Sequence, residues 1–184
     1  MPKFRPRTGF TLVELLVAVA LGVLLSGVAM RMLLGEARHG EALAQRLLLK
    51  GLQRRTLDLV KADLNVAASW HVAPSTDLAI SWSCPLAGRQ PLLAITPRHG
   101  TEPVLYSVGR APSTIWRGRV LMRCGPAFDL QGRMRSGSSY QNRVVLDAVE
   151  AFQISQPEGL PVLKLELEQR LPGNGPLVRS TAFG

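Results

Sequence analysis

Cysteine and histidine are scarce in this chain of 184 residues, which contains only two cysteines and three histidines. Two cysteines exclude a disulfide-dense miniature scaffold and a zinc module built on four cysteines. The histidines, His39, His71 and His99, are scattered along the sequence and leave little material for a metal cluster. We therefore expect neither a bound metal nor a cofactor.

Catalytic signatures are also missing from the sequence. It contains no G-x-S-x-G nucleophile elbow, no H-E-x-x-H pair and no phosphate-binding glycine loop. Glu166 and Glu168 share one face of a predicted strand, where two solvated carboxylates are a simpler interpretation than a catalytic pair. Asp129 stands alone in its loop, unlike the clustered acids of a calcium site. These absences predict that the protein is not an enzyme.

Acidic residues are few, since 13 acids stand against 22 lysines and arginines and the formal net charge is +9. Such an excess points to nucleic acid or an anionic membrane. However, Lys3, Arg5 and Arg7 precede the first apolar segment in a stretch without acids. Positive charge there keeps the N-terminus cytoplasmic when the segment crosses a membrane. Part of the excess is therefore an orientation signal, and the rest is spread over the chain.

Residues 10–30 form a long apolar run, in which sixteen of the twenty-one residues are strongly apolar. As a helix the run would be roughly 31 Å long, close to the hydrocarbon thickness of a bilayer. An ordinary secretory signal has its small-residue cleavage site after the apolar region, but no A-x-A pattern follows Met30. The small residue Gly9 stands before the run instead. Cleavage there would remove the basic leader and keep the membrane helix.

Glu14 is the one charged residue within this apolar run. An ionised carboxylate in hydrocarbon is costly, and such residues are functional by default. One interpretation is an interfacial glutamate at the helix start, stabilised by the helix dipole. The other uses cleavage after Gly9, which gives Phe10 a positive amino terminus one helical turn from Glu14. The two charges would then neutralise each other, within one chain or between neighbouring chains.

The stretch GFTLVELLVAVAL, at residues 9–21, resembles the N-terminal motif of type IV prepilins, which type II secretion pseudopilins share. The match includes the basic leader, the Gly9–Phe10 junction, Glu14 and the apolar helix. The resemblance implies cleavage between Gly9 and Phe10 by a membrane aspartic prepilin peptidase, followed by N-methylation of Phe10. It also implies that Glu14 pairs with the N-terminal amine of a neighbouring subunit during assembly.

A helical pattern continues beyond the membrane, since residues 31–68 contain no proline. Apolar side chains fall on one half of the helical wheel, as in an amphipathic helix, although Gln53 and Asp63 intrude there. We expect this helix to cover a sheet. Its basic half is expected to be solvated or to face other subunits, with nucleic acid as the less favoured alternative. The apolar half contains Leu48, Leu49, Leu52, Leu57, Leu59, Val60, Leu64, Val66 and Ala67.

After Pro74 short apolar runs are separated by glycine, proline and serine, which is typical of strands and turns. In the last run, Leu163, Leu165 and Leu167 alternate with charged residues, which indicates one buried and one wet face. The polar, glycine-rich segment 131–142 is predicted to be an exposed loop. The predicted strands are residues 78–83, 92–96, 104–108, 115–124, 143–155 and 162–170.

These patterns predict an α+β fold, and the resemblance implies that it is pilin-like, with a long N-terminal transmembrane and amphipathic helix packed on an antiparallel β-sheet head. The predicted segments are a cleaved leader (1–9), a transmembrane helix (10–30), an amphipathic helical extension (31–73) and a β-rich head (74–184). Residues 52–67 and 145–154 resemble the J-type pseudopilins and W-type minor pilins. This resemblance implies a minor subunit at the tip or initiating complex of a type IV pilus or type II secretion pseudopilus.

The resemblance also implies partners and a location. The partners are other minor and major pilins or pseudopilins, the prepilin peptidase and the inner-membrane assembly platform. The location is the inner membrane, crossed once, with an extracytoplasmic C-terminal head that reaches the filament tip after assembly. Two alternatives stay open: a competence-pilus subunit that contacts DNA, and an uncleaved, single-pass membrane-anchored binding domain.

A cluster of arginines around one tryptophan is a candidate anion or partner surface. Arginine beside an aromatic ring holds single-stranded nucleic acid, and it equally holds acidic groups of proteins. The favoured interpretation is a soluble basic surface, followed by an acidic protein partner and then by DNA. The cluster consists of Arg110, Trp116, Arg117, Arg119 and Arg123.

The two cysteines, Cys84 and Cys124, both fall in the predicted extracytoplasmic part. That compartment is oxidising, so a disulfide between them is a candidate, with two buried free thiols as the alternative.

Overall fold

The computed structural model describes residues 11–74, 84–98, 103–127, 140–173 and 175–184. The chain forms two compact units, Met1–Ala44 and Gln45–Gly184. The strand predicted at residues 78–83 and most of the loop predicted at 131–142 lie outside the described residues.

Helix α1 begins at Leu12 and ends at Asn65. In the first unit its segment Leu12–Met32 has a mean hydropathy of 2.5, and none of its most apolar stretch is buried. This segment is long and apolar enough to cross a membrane. Its leucines and valines form a continuous exposed apolar surface. Exposed apolar surface of that extent marks a membrane or protein contact in general.

The second unit contains two antiparallel sheets. The first has five strands in chain order, and the second has three. The α+β, pilin-like arrangement of a long helix and an antiparallel β-sheet head is thereby confirmed. The first sheet consists of β1 (Ala67–Val72), β2 (Gln90–Pro97), β3 (Val104–Arg110), β4 (Arg119–Gly125) and β5 (Gln141–Leu146). The second consists of β6 (Val149–Ser155), β7 (Lys164–Arg170) and β8 (Leu177–Phe183).

One main hydrophobic core joins the last turns of α1 to both sheets. Leu57, Val60 and Leu64 extend from the helix into this core. On β7 the predicted alternation is present, since Leu165 and Leu167 are fully buried between partly exposed charged residues. Burying one such leucine contributes about 1.5–3 kcal/mol to the free energy of folding. The packing of β7 and α1 in this core therefore stabilises the head.

The helix ends earlier than the sequence pattern indicated. Residues 31–73 were predicted to be helical, but α1 ends at Asn65 and β1 occupies Ala67–Val72. In β1, Trp70 lies opposite Ile95 of β2. Aromatic and β-branched side chains fit a pleated, half-buried surface, so pairing with β2 overrides the helical pattern.

The buried stripe of α1 is also rotated relative to the predicted apolar half. Leu48 and Leu52 are 69% and 45% exposed. The buried residues of the stripe are instead Leu49, Gln53, Thr56, Leu57, Val60, Asp63 and Leu64, which recur every three or four residues. Gln53 and Asp63, which interrupted the predicted apolar half, thus lie at the centre of the buried face.

The segment predicted as one strand, residues 143–155, forms two strands in different sheets. The break falls at Asp147 and Ala148, and Ala148 has a left-handed φ of 51°. The N–H of Ala148 donates to the Arg117 carbonyl at 2.7 Å, and Gln169 Nε2 donates to the Asp147 carbonyl at 2.7 Å. The break between β5 and β6 is therefore stabilised by residues that are distant in sequence. For this reason the local apolar pattern did not predict it.

Candidate functional site

The N-terminal end of α1 positions Glu14 in the first helical turn. The backbone N–H of Glu14 donates to Thr11 Oγ1 at 3.3 Å, which is the geometry of a helix N-cap. The Glu14 side chain is exposed, at the helix end where the dipole favours negative charge. Gly9 and Phe10 lie outside the described residues. Between residues 11 and 30 the sequence has no lysine or arginine, so this stretch offers the carboxylate no basic side chain.

A buried polar cluster of Asp63, Tyr106 and Arg123 lies between α1 and the first sheet. Arg123 donates from Nε to Asp63 Oδ2 at 2.7 Å and from Nη2 to Oδ1 at 3.0 Å, which makes a bidentate ion pair. The Tyr106 hydroxyl donates to Asp63 Oδ2 at 2.5 Å. The side chains of Arg123 and Asp63 are only 7% and 1% exposed. The cluster therefore ties α1 to β3 and β4 inside the core.

The electrostatics of this cluster favour a charged Arg123 and a neutral Tyr106. Burial by itself would lower the pKa of Arg123, but the hydrogen bonds and the charge of Asp63 raise it above its ordinary value. Burial, together with the charge of Asp63, raises the pKa of Tyr106 well above its ordinary value. The tyrosine thus stays a neutral donor and the arginine a cation. This is a structural ion pair rather than an acid–base couple.

Gln53 makes the corresponding connection to the second sheet. Its Nε2 donates to the Val178 carbonyl at 2.9 Å, and its Oε1 accepts from Ser180 Oγ at 2.7 Å. Both partners lie on β8. The two polar residues that interrupt the apolar half of α1 are therefore the ones that bind it to the two sheets. The position of Gln53 and Asp63 on the apolar half of the helical wheel indicated that they were unusual. Their hydrogen-bond partners could not be predicted from the sequence.

The predicted arginine surface does not form as one patch. Arg123 is not part of it, because residues two apart on a strand share a face and Arg123 faces the core with Leu121. Arg117 pairs with Asp147, with 3.4 Å between Nε and Oδ2. Arg119 donates from Nη1 to the Glu150 carbonyl at 3.3 Å.

Arg110 and Trp116 do come together, around an open cavity of about 570 Å³. We call this cavity the basic groove; it is lined by Arg89, Arg110, Trp116, Met122, Asn142 and Val144, among others. Arg89 was not among the predicted residues, because nothing in the local sequence distinguishes it from arginines on the surface.

The two cysteines form a disulfide, with 6.0 Å between the Cα atoms of Cys84 and Cys124. Both are buried and pack against Leu105. The bond ties the segment that precedes β2 to the end of β4. It therefore also fixes one wall of the basic groove, which begins at the neighbouring Pro85.

Replacing both cysteines, as Cys84→Ala with Cys124→Ala, is expected to lower the free energy of unfolding by about 4 kcal/mol in the chain-entropy model. Urea unfolding of the full chain in non-ionic detergent measures the loss. Wild-type protein treated with a reductant serves as the control and should lose a similar amount. An unchanged urea midpoint would show that the bond adds nothing to stability.

Glu166 and Glu168, considered above as a catalytic pair, each form an ion pair with a basic side chain. Lys164 Nζ lies 3.2 Å from Glu166 Oε1, and Arg179 Nε donates to Glu168 Oε1 at 2.5 Å. Within the described ranges, no group of three or more histidine, cysteine or acidic side chains is placed to hold a metal ion. Asp129 lies outside the described residues.

Comparison with known families finds a match at the N-terminus. Residues 4–30 match the prokaryotic N-terminal methylation motif, a range that contains the Gly9–Phe10 junction and Glu14. No curated protein and no solved structure matches the chain. The motif supports a structural subunit of the pilin type and suggests assembly with other pilins and the prepilin peptidase. Together with the exposed apolar helix Leu12–Met32, it supports a membrane-anchored, single-pass protein of the type IV pilin and pseudopilin class.

Proposed function

We propose that the chain is a minor pilin or pseudopilin, related to the J-type and W-type subunits, which acts at the tip or initiating complex of a type IV pilus or type II secretion pseudopilus. The observation that carries the proposal is the methylation motif at residues 4–30, which continues into an exposed apolar helix. The protein would be cleaved between Gly9 and Phe10 and methylated on the Phe10 amine.

Glu14 would guide assembly through its charge. Cleavage creates a positive amine at Phe10, four residues before Glu14. An unpaired charge of either sign raises the free energy of a helix within hydrocarbon. An ion pair between the amine of one subunit and the Glu14 carboxylate of its neighbour would lower that free energy for both subunits. Pairing between chains would thus direct each new subunit to a definite position along the bundle of membrane helices.

The head would stand on the extracytoplasmic side of the inner membrane. Lys3, Arg5 and Arg7 precede the apolar helix, and positive charge stays cytoplasmic. The disulfide between Cys84 and Cys124 supports the same orientation, because structural disulfides persist in oxidising compartments.

The minor role rests on the residues that resemble J-type and W-type subunits. Residues 52–67 include Gln53 and Asp63, which bind α1 to the two sheets, and residues 145–154 include the break between β5 and β6. These segments thus determine how the helix and both sheets of the head meet.

Quantitative mass spectrometry of purified filaments or pseudopili tests the minor role. We expect the chain to be present at far fewer copies than the major subunit, because a tip complex contains one or a few of each minor subunit. A strain without the prepilin peptidase is the control and should yield none. Copy numbers equal to those of the major subunit would contradict a minor role, and complete absence would contradict a filament role.

A further inference from the structure

The basic groove lies on the face of the first sheet that points away from α1. Met122 and Val144, which are paired neighbours on β4 and β5, lie at its base. Met122 is adjacent to Leu121 and Arg123, whose side chains face the core, so it points to the opposite face. Arg89, Arg110, Trp116 and Asn142 supply the polar and aromatic part of the lining.

Arg89 is a buried cation, and the described part of the chain gives it no acidic partner. It is only 6% exposed, and its Nη2 donates to the Pro85 carbonyl at 2.8 Å. Its Nε–H has no acceptor among the residues that the structure describes. Burial lowers the pKa of Arg89, because desolvation disfavours the charged form. A buried charge without compensation is costly, so this arginine is poised for an anion.

The groove is built to hold Arg89 in place. A Cβ atom on Gly109 would lie 2.9 Å from Arg89 Cγ and 3.0 Å from Arg89 Cα, so the arginine crosses β3 where only glycine leaves room. Asn142 Nδ2 donates to the Pro85 carbonyl at 3.0 Å, next to the disulfide at Cys84. These contacts fix the surroundings of Arg89 before a ligand binds.

The charges around the groove favour a single carboxylate over a nucleic acid. In the described part of the chain, no acidic residue lines it, while Arg89 and Arg110 both do. Arginine guanidinium groups match the planar geometry of a carboxylate. Nucleic acid would need a continuous basic track, but beyond the groove Arg117 is already paired with the Asp147 carboxylate. Arg119 donates there to the backbone carbonyl of Glu150.

We propose that the basic groove binds the carboxylate of an aspartate or glutamate side chain presented by a partner protein. That this partner is a neighbouring filament subunit rests on the proposed function; the carboxylate chemistry does not. In this site Arg89 is the buried cation and Arg110 is a second cation at the rim. Asn142 contributes a polar amide group, and Trp116 forms the apolar wall.

The side-chain Nε–Hε resonances of the full chain, labelled with ¹⁵N-arginine in non-ionic detergent, test this proposal. The probe is the peptide acetyl-Gly-Glu-Gly-amide, and its glutamine counterpart is the matched control. We expect the glutamate peptide to shift the Arg89 resonance saturably, with a dissociation constant on the order of 1 mM for so small a ligand. The resonance of Arg54, whose side chain is 86% exposed on α1, should not move.

Two variants connect the shift to the groove. Arg110→Gln, at an exposed position, should weaken binding by roughly tenfold without affecting the fold. Gly109→Ala should displace Arg89 and also weaken binding, and circular dichroism checks that it is folded. Equal responses to the two peptides, or unsaturable shifts at every arginine, would overturn the proposal. A tighter, saturable Arg89 response to oligo(dT) would assign the groove to nucleic acid and also overturn it.

The carboxylate-site proposal and the proposed function can be refuted separately. Absence of peptide binding by a chain that is still recovered in filaments refutes only the groove. Peptide binding by a chain that never enters filaments refutes the filament role and leaves the carboxylate site standing.

Discussion

Replacing Arg123 with methionine is expected to lower the free energy of unfolding by about 3–5 kcal/mol, because it leaves Asp63 buried without its cation. Asp63 is 1% exposed in its side chain, and among the described residues Tyr106 would remain as its neutral donor. A carboxylate in that position has no access to water. The expected loss is a large fraction of the stability of a domain of this size.

Urea unfolding of the full chain in non-ionic detergent, followed by tryptophan fluorescence, measures this loss. Arg119→Met removes an exposed arginine from the same strand and should change stability by less than about 0.5 kcal/mol. The double variant Asp63→Leu with Arg123→Met should recover much of the loss, since apolar replacement of a whole buried pair is often neutral. If Arg123→Met resembled Arg119→Met, the buried cluster would not be the link that we describe.

Replacing Glu14 with alanine is expected to remove the chain from filaments while leaving it in the membrane. The Phe10 amine would then lack its carboxylate, and an unpaired charge within a membrane helix costs about 2.5–3.5 kcal/mol. That cost corresponds to roughly 100-fold in the assembly equilibrium. The apolar helix itself stays intact, so insertion should be unaffected.

The ratio of chain in sheared filaments to chain in membranes measures this effect. Glu158→Ala, which removes an exposed acid from a turn of the head, is the matched control and should assemble normally. Normal assembly of Glu14→Ala would refute the assembly role of Glu14. Loss of both variants from filaments would show that the assay reports net charge rather than the position of Glu14.

Features that depend on local pattern were predictable from the sequence. The apolar run marked the membrane-type segment, alternation marked β7, and the count of two cysteines in the head marked the pair that forms the disulfide. Each of these signals is carried by neighbouring residues, so no knowledge of the tertiary structure was needed.

Features that depend on distant partners were not predictable. Gln53 and Asp63 stood out on the wheel, yet the carbonyl of Val178 and the guanidinium of Arg123 lie 125 and 60 residues away. Arg123 looked like a member of a surface cluster because composition does not reveal which face of a strand is buried. Arg89 gave no signal, because its burial depends on the room that Gly109 of β3 leaves, 20 residues along the chain.

The central claim, that this chain is a processed filament subunit, is tested most directly by intact-mass analysis of protein extracted from native membranes. We predict a mass that corresponds to Phe10 through Gly184 with one added methyl group and one disulfide. A chain that still begins at Met1 in a strain with an active prepilin peptidase would contradict the account.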